Sequence, residues 1–162
     1  MRRIFLAFAF ALVHAGCGAD NSTANSAPPN PPTKTSTLES QIMKIRLKID
    51  DKVITATLND SKTTRDFISL LPLTLTMNDL FRREKFAHLP GAISEEGKRT
   101  HTYEVGQVVY WSPGPDVAIF YRNDGEKIPN PGIIVIGKID SGVAALGIAG
   151  SVKVTIELHD EQ

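Results

Sequence analysis

From Ile42 to Ile49 the chain alternates with a period of two, Met43, Ile45, Leu47 and Ile49 interleaving with Lys44, Arg46 and Lys48. That period sends one face of an extended segment toward a core and the other toward water, so it predicts a half-buried strand. Asp50-Asp51 makes a turn, and Lys52 to Leu58 returns as the second strand of a hairpin. Asn59-Asp60-Ser61 then offers N-cap oxygens. The spacing of Phe67, Ile68, Leu70 and Leu71 predicts a helix of two or three turns over Thr63 to Leu71, ended by Pro72.

Later runs are extended. Leu73 to Met77 alternates Leu with Thr, and Lys85 to Leu89 is a strand closed by Pro90-Gly91. Gln107 to Trp111 and Val117 to Arg122 are rich in β-branched and aromatic residues, separated by the turn cluster Ser112-Pro113-Gly114-Pro115-Asp116. Gly132 to Ile139 and Ser151 to His159 complete the set. About eight short strands with one or two short helices predict a mostly β domain closed into a barrel, since closure removes exposed sheet edges. The polar stretch Gly91 to Gly106, with Glu95, Glu96, Lys98 and Arg99, is expected to be a long mobile connection over one face.

The first 41 residues follow a different logic. Met1-Arg2-Arg3, the apolar run Ile4 to Val13 and the small residues before Cys17 form the three parts of a secretory signal. The run is too short for a helix across a hydrocarbon core of ~30 Å. Ala15-Gly16-Cys17 resembles the lipobox of bacterial lipoproteins, with His14 in place of the usual leucine. The resemblance implies cleavage after residue 16 and lipidation at Cys17; an ordinary signal cut nearby would leave a free thiol. Residues 17–41, with Pro28, Pro29, Pro31 and Pro32 among Ser, Thr, Asn and Ala, have too few large apolar side chains to offset chain entropy and are expected to be a disordered tether. The organisation expected is signal peptide 1–16, tether 17–41 and β-barrel domain 42–162. The setting expected is the cell envelope, on the outer membrane or periplasmic face, with a membrane contact through Cys17.

Composition narrows the chemistry. The chain has 162 residues, 18 Lys plus Arg against 18 Asp plus Glu, and one cysteine. Removing Arg2, Arg3, Lys34, Asp20 and Glu39 leaves a domain with 15 positive and 16 negative side chains. Neither total suits a phosphate backbone, so no nucleic acid is expected as partner. One cysteine excludes an intramolecular disulfide and a Cys-based zinc site. Gly132 to Lys138 has P-loop spacing, but the four residues between its glycines are β-branched and Ile139 replaces the Ser or Thr that would hold magnesium. His88, His101 and His159 lack ligand spacing, and Ser112 lies outside a G-x-S-x-G elbow. No cofactor or metal is expected.

The aromatic residues remain. On strands, Tyr110 and Trp111 face opposite sides, as do Phe120 and Tyr121, so one of each pair fills the barrel and the other reaches outward. Phe86, Tyr103, Tyr110, Trp111 and Phe120 are the candidate binding residues, for a groove taking a peptide or small ligand.

The hairpin, the helix Thr63-Thr64-Arg65-Asp66-Phe67 closing on Leu71-Pro72, Glu84 to Pro90, Gly106 to Trp111 and Asp116 to Tyr121 together resemble the small bacterial cyclophilin-like domain proteins. The resemblance spans residues 42–162 and implies a closed cyclophilin-like barrel. True cyclophilins are peptidyl-prolyl isomerases whose chemistry needs an apolar trough and an arginine beside the prolyl nitrogen. The resemblance matches Phe120 to a pocket phenylalanine. The Phe-His-Arg triplet and the Gln-Gly-Gly run that follows it are missing; Phe81-Arg82-Arg83 is the nearest echo. Arg82 and Arg83 are therefore the possible isomerase arginines, with the plainer expectation that both are solvated charges beside Glu84. The function expected is a peptide- or small-ligand-binding module without established catalysis. A peptidyl-prolyl isomerase is the alternative, and a purely structural envelope protein the third reading.

Overall fold

A computed structural model describes residues 43–159. The expected signal peptide, tether and lipidated Cys17 lie outside the described residues. Nine strands, one α-helix and one 3-10 turn follow in the order β1 (Met43–Ile49), β2 (Lys52–Leu58), α1 (Lys62–Ser69), β3 (Leu73–Leu80), β4 (Glu84–His88), β5 (Arg99–Thr100), β6 (Gln107–Trp111), β7 (Asp116–Phe120), β8 (Ile133–Ile139), the 3-10 turn Val143–Leu146 and β9 (Val152–Leu158).

The strands pair in the order β2-β1-β9-β3-β4-β7-β6-β8, and β8 returns to β2, closing an antiparallel barrel of eight strands. β5 is an appendage of two residues on the free part of β8. Inward positions alternate as the sequence pattern predicts: Ile45, Leu47 and Ile49 on β1, Ile54, Ala56 and Leu58 on β2, and Val152, Val154 and Ile156 on β9 are all buried in one core. Phe67 of α1 packs into the same core. Ser61 caps α1, its hydroxyl accepting from the Thr64 amide at 3.1 Å.

Closure depends on one glycine. Gly137 lies opposite Leu58 across the β2–β8 seam, and a Cβ there would sit 2.6 Å from Leu58 Cδ2 and 2.7 Å from the Thr57 carbonyl oxygen. The glycine that gave the P-loop spacing is thus where two strand backbones approach closely.

The Gly91–Gly106 connection corrects the expectation of a loose segment. Ile93 and Tyr103 are buried, the Ser94 amide donates to Asp66 Oδ2 at 3.0 Å, and Arg99 donates to the Gly132 carbonyl and the Ser112 hydroxyl. Of the polar residues that suggested mobility, Arg99 is the one that fastens it, with Glu95 as its ion-pair partner.

All five residues of β7 are buried. A strand in a barrel wall has one face inside by construction. Burial of the other face means that something covers the barrel from outside. On β7 and its neighbours the cover is a second cluster made by Val109, Ala118, Phe120 and Ile133 of the wall with Tyr103 and Ile128 from the connecting segments.

Candidate functional site

The outer cluster does not close completely. Between it and solvent lies a cavity of about 230 Å³, lined by Leu80, Phe81, Arg83, Glu84, Phe86, Val109, Trp111, Asp116, Ala118, Ile128, Pro129 and Ile133. Strand register explains its shape. Ala118 on β7 stands opposite Phe86 on β4 and Val109 on β6, with Asp116 and Phe120 two residues away on either side of it on the same face. A methyl group in the middle of a row of larger side chains leaves a hollow. Phe86 and Trp111 form its walls with Ile128, Pro129 and Ile133.

Charged groups stand at both ends of this row: Arg83 and Glu84 beside Phe120, and Asp116 on the other side of Ala118. Arg83 is buried; its Nε donates to Glu84 Oε1 at 3.1 Å, and one terminal nitrogen reaches Asp124 Oδ2 at 3.5 Å. Its guanidinium carbon lies 5.0 Å from the Phe81 ring centroid and 5.4 Å from that of Tyr103, within cation–π range. The Arg83 carbonyl accepts from the amides of Tyr121 and Arg122. Glu84 is likewise buried, and burial pushes its carboxyl above the usual range against the pull of Arg83, with Asp124 and Asp116 adding to the rise. Asp116 is also pushed up by burial, opposed by His88.

The structure separates the candidate residues. Phe86 and Trp111 line the cavity. Tyr103 and Phe120 stack beside it, ring centroids 4.0 Å apart and 18° from parallel, and the Tyr103 hydroxyl donates to Asp124. They buttress the wall and Arg83 without lining the space. Tyr110 points into the barrel, fully buried in the main core, where its hydroxyl accepts from the Ile93 amide at 3.3 Å. Arg82 is exposed and lies outside the cavity lining, whereas Arg83 lines it. Burial of Arg83 corrects the expectation that both arginines are solvated.

Sequence reasoning missed Ala118, Asp116 and Glu84 as lining residues. Asp116 was read as part of a turn, although it is the first residue of β7. Ala118 had a signal: it is the one small side chain in Val117-Ala118-Ile119-Phe120. Among the described residues no group of three or more His, Cys, Asp or Glu is placed to hold a metal ion.

The barrel and its outer hollow define a fold class, and the comparisons give it a family. The model described as the cyclophilin-like family matches residues 47–157, and the chain belongs to that family. Among solved structures it is similar to the solution structure of a hypothetical protein from Archaeoglobus fulgidus, at 24% identity, covering 72% of this chain and 94% of that one with a TM-score of 0.58. That likeness is one of fold. No curated protein matches the chain.

Proposed function

We propose that the protein is a binding module that takes a peptide side chain or a small ligand in the cavity over Ala118. The observation that carries this reading is the cavity itself: apolar walls with Arg83 and Glu84 at one end and Asp116 at the other, on an otherwise covered face. Drug-sized ligands occupy pockets of roughly 300–1,000 Å³. At about 230 Å³ this one suits a single side chain or a small head group. A lipid-anchored envelope setting, suggested by the sequence before residue 42, would present the cavity at a membrane surface.

Trp111 is the single tryptophan of the chain and stands in the cavity wall, so its fluorescence reports occupancy. An Ala-Pro tetrapeptide and small aliphatic probes are expected to change the emission saturably in the native protein. In A118L, where a larger side chain fills the hollow, the change is expected to fall at least tenfold at equal concentration while the thermal transition persists. An A118L response equal to the native one overturns the reading.

One observation favours isomerase activity as a second reading: the Arg83 guanidinium borders an apolar hollow, and a donor there could stabilise a twisted prolyl amide. Binding is preferred because Arg83 is already engaged by Glu84 and Asp124. Cis–trans exchange on the same peptide, measured by NMR, is expected to match the uncatalysed rate; acceleration lost in R83A would establish the isomerase instead.

A further inference from the structure

Arg83 and Glu84 each keep one side-chain atom unpaired. Both residues line the cavity and are more than nine-tenths buried, at 7% and 6% exposed. Arg83 donates through Nε to Glu84 Oε1 and through Nη1 to Asp124 Oδ2. Among the described residues nothing accepts from its Nη2, and nothing donates to Glu84 Oε2. The unpaired atoms sealed from solvent are others: Arg46 Nε, Thr63 Oγ1, Asp116 Oδ1 and His159 Nδ1. Nη2 and Oε2 therefore open on accessible space, and the cavity is the space that both residues border. A charged donor and a charged acceptor without partners in a mostly apolar wall are costly, so a ligand that meets both is favoured.

The two atoms together define the ligand's head group. The 3.1 Å bond between Nε and Oε1 already joins the two side chains, so the remaining donor and acceptor are neighbours. A carboxylate would meet Glu84 with like charge, and an ammonium or amidinium would meet Arg83 in the same way. A ketone accepts from Nη2 and leaves Oε2 bare. A hydroxyl has one oxygen for both partners. A neutral group carrying a carbonyl oxygen and an N–H on one carbon meets both atoms at once, and that group is a carboxamide. The guanidinium cannot turn away to seek other company. Glu84 and Asp124 hold two of its nitrogens, and its carbon lies 5.0 Å and 5.4 Å from the ring centroids of Phe81 and Tyr103. The Tyr103 hydroxyl in turn donates to Asp124. The free donor is thus fixed in place before any ligand arrives.

Strand register gives the stem its place. Glu84 stands opposite Phe120, and two residues along β4 Phe86 stands opposite Ala118. A head group at Glu84 therefore has room for its carbon chain over Ala118, beside the Phe86 ring. We propose that the cavity binds a primary carboxamide, its oxygen accepting from Arg83 Nη2, its NH2 donating to Glu84 Oε2 and its aliphatic stem lying over Ala118. A glutamine side chain and a small free aliphatic amide share this chemistry. The inference rests on the cavity being a binding site, as proposed above.

Trp111, the single tryptophan, supplies one indole N–H resonance from the cavity wall. Its shift is followed by NMR while the native protein is titrated with butyramide and with four probes of similar shape: 2-pentanone, 2-pentanol, butyrate and butyramidinium. Ionic strength is held constant with sodium chloride. Butyramide is expected to bind at least tenfold more tightly than 2-pentanone, which cannot donate, and than either ion, with the alcohol in between. In E84Q the new amide oxygen takes the Arg83 bond and its NH2 replaces the free acceptor. There the advantage of butyramide over 2-pentanone is expected to vanish while 2-pentanone still binds; an advantage equal to the native one overturns the assignment to Glu84. Acetyl-Ala-Gln-Ala-N-methylamide, with the methionine peptide as control, identifies the source. Tighter binding of the glutamine peptide than of both butyramide and the control assigns a protein side chain, and any other order assigns a free amide.

Affinity for the ketone, the alcohol or either ion that equals or exceeds that for butyramide in the native protein overturns the carboxamide while leaving the cavity as a binding site, and needs no variant to fold. Silence with every probe overturns both readings.

Discussion

Lys85 points into the barrel, fully buried, with Nζ 2.8 Å from Asp79 Oδ2, 2.6 Å from the Ile148 carbonyl and 2.5 Å from the Gly150 carbonyl. Tyr121 donates to the same Asp79 oxygen at 2.7 Å. Three acceptors satisfy the ammonium, so the group is tolerated where a lone charge would not be. Removing one partner of such a pair costs roughly 3–5 kcal/mol, because the other is left buried and unpaired. K85M should therefore lower the unfolding free energy by that much, measured by denaturant unfolding, and D79N/K85M should recover part of the loss. Equal losses in single and double variants would show that Asp79 is not the partner that matters.

The same strand shows what single residues disclose in sequence. Lys85, Ala87 and Leu89 alternate with Glu84, Phe86 and His88, and each set mixes charge with apolar bulk. Period-two reasoning could find the strand but not which set was inside. Where the two sets differ sharply, as on β1, orientation was plain. Around the cavity they do not, since β7 is buried on both faces and its pattern is simply apolar. Trp111 and Phe86 were accessible as aromatics on strands. Asp116 was not, because an aspartate after Pro-Gly-Pro is ordinarily a turn residue.

At the scale of elements, the site depends on the connection between β3 and β4. Phe81 and Arg82 both adopt left-handed backbone, φ 53° and 54°, in a tight turn whose ends are joined by the Arg83 amide to the Leu80 carbonyl at 3.1 Å. Turns of this hand normally use Asn and Gly, since a side chain in that region costs about 1 kcal/mol or more. The turn places Phe81 at the cavity rim and Arg83 inside, with Arg82 exposed between them, its amide donating to Asp79 Oδ1. Strain kept at such a place is consistent with a positional requirement.

Arg82 is the member of the turn that touches neither cavity nor core. R82G should therefore raise stability by about 1 kcal/mol, read as a higher thermal midpoint, with fluorescence responses to cavity probes unchanged. A lower midpoint would mean that the arginine side chain contributes more than its backbone costs. The turn was hidden in the sequence because Phe-Arg-Arg carries no turn signal. The hairpin of β1 and β2 was legible because Asp50-Asp51 does.

For the whole molecule, closure of the barrel is the property on which the outer hollow depends, since β4, β7, β6 and β8 hold their curvature only as part of a complete ring. The seam between β2 and β8 is short, three paired residues, and needs support beyond its ladder. Asp140, just past β8, accepts from the hydroxyls of Thr55 at 2.9 Å and Thr57 at 2.6 Å, and its amide donates to the Thr55 carbonyl. Lys44 of β1 lies 3.7 Å away. Burial pushes the Asp140 carboxyl upward, but the two hydroxyls and Lys44 outweigh it and hold the group below its usual range.

A carboxyl whose folded pKa lies below its unfolded value stabilises the fold fully above the unfolded value, near 3.9, and loses that contribution as pH falls through the folded one. Native protein should thus be more stable than D140N at pH 6, and the gap should narrow steadily below about pH 4. Chemical denaturation at pH 6 and pH 3 measures it. Hydrogen exchange locates it: at pH 6, D140N should lose protection first at the Asn59 and Ile139 amides, which donate to Ile136 and Gly106 carbonyls beside the seam. A gap independent of pH would mean that the aspartate acts through its backbone and shape alone. In that case the ring is closed by Gly137 and the ladder, not by charge.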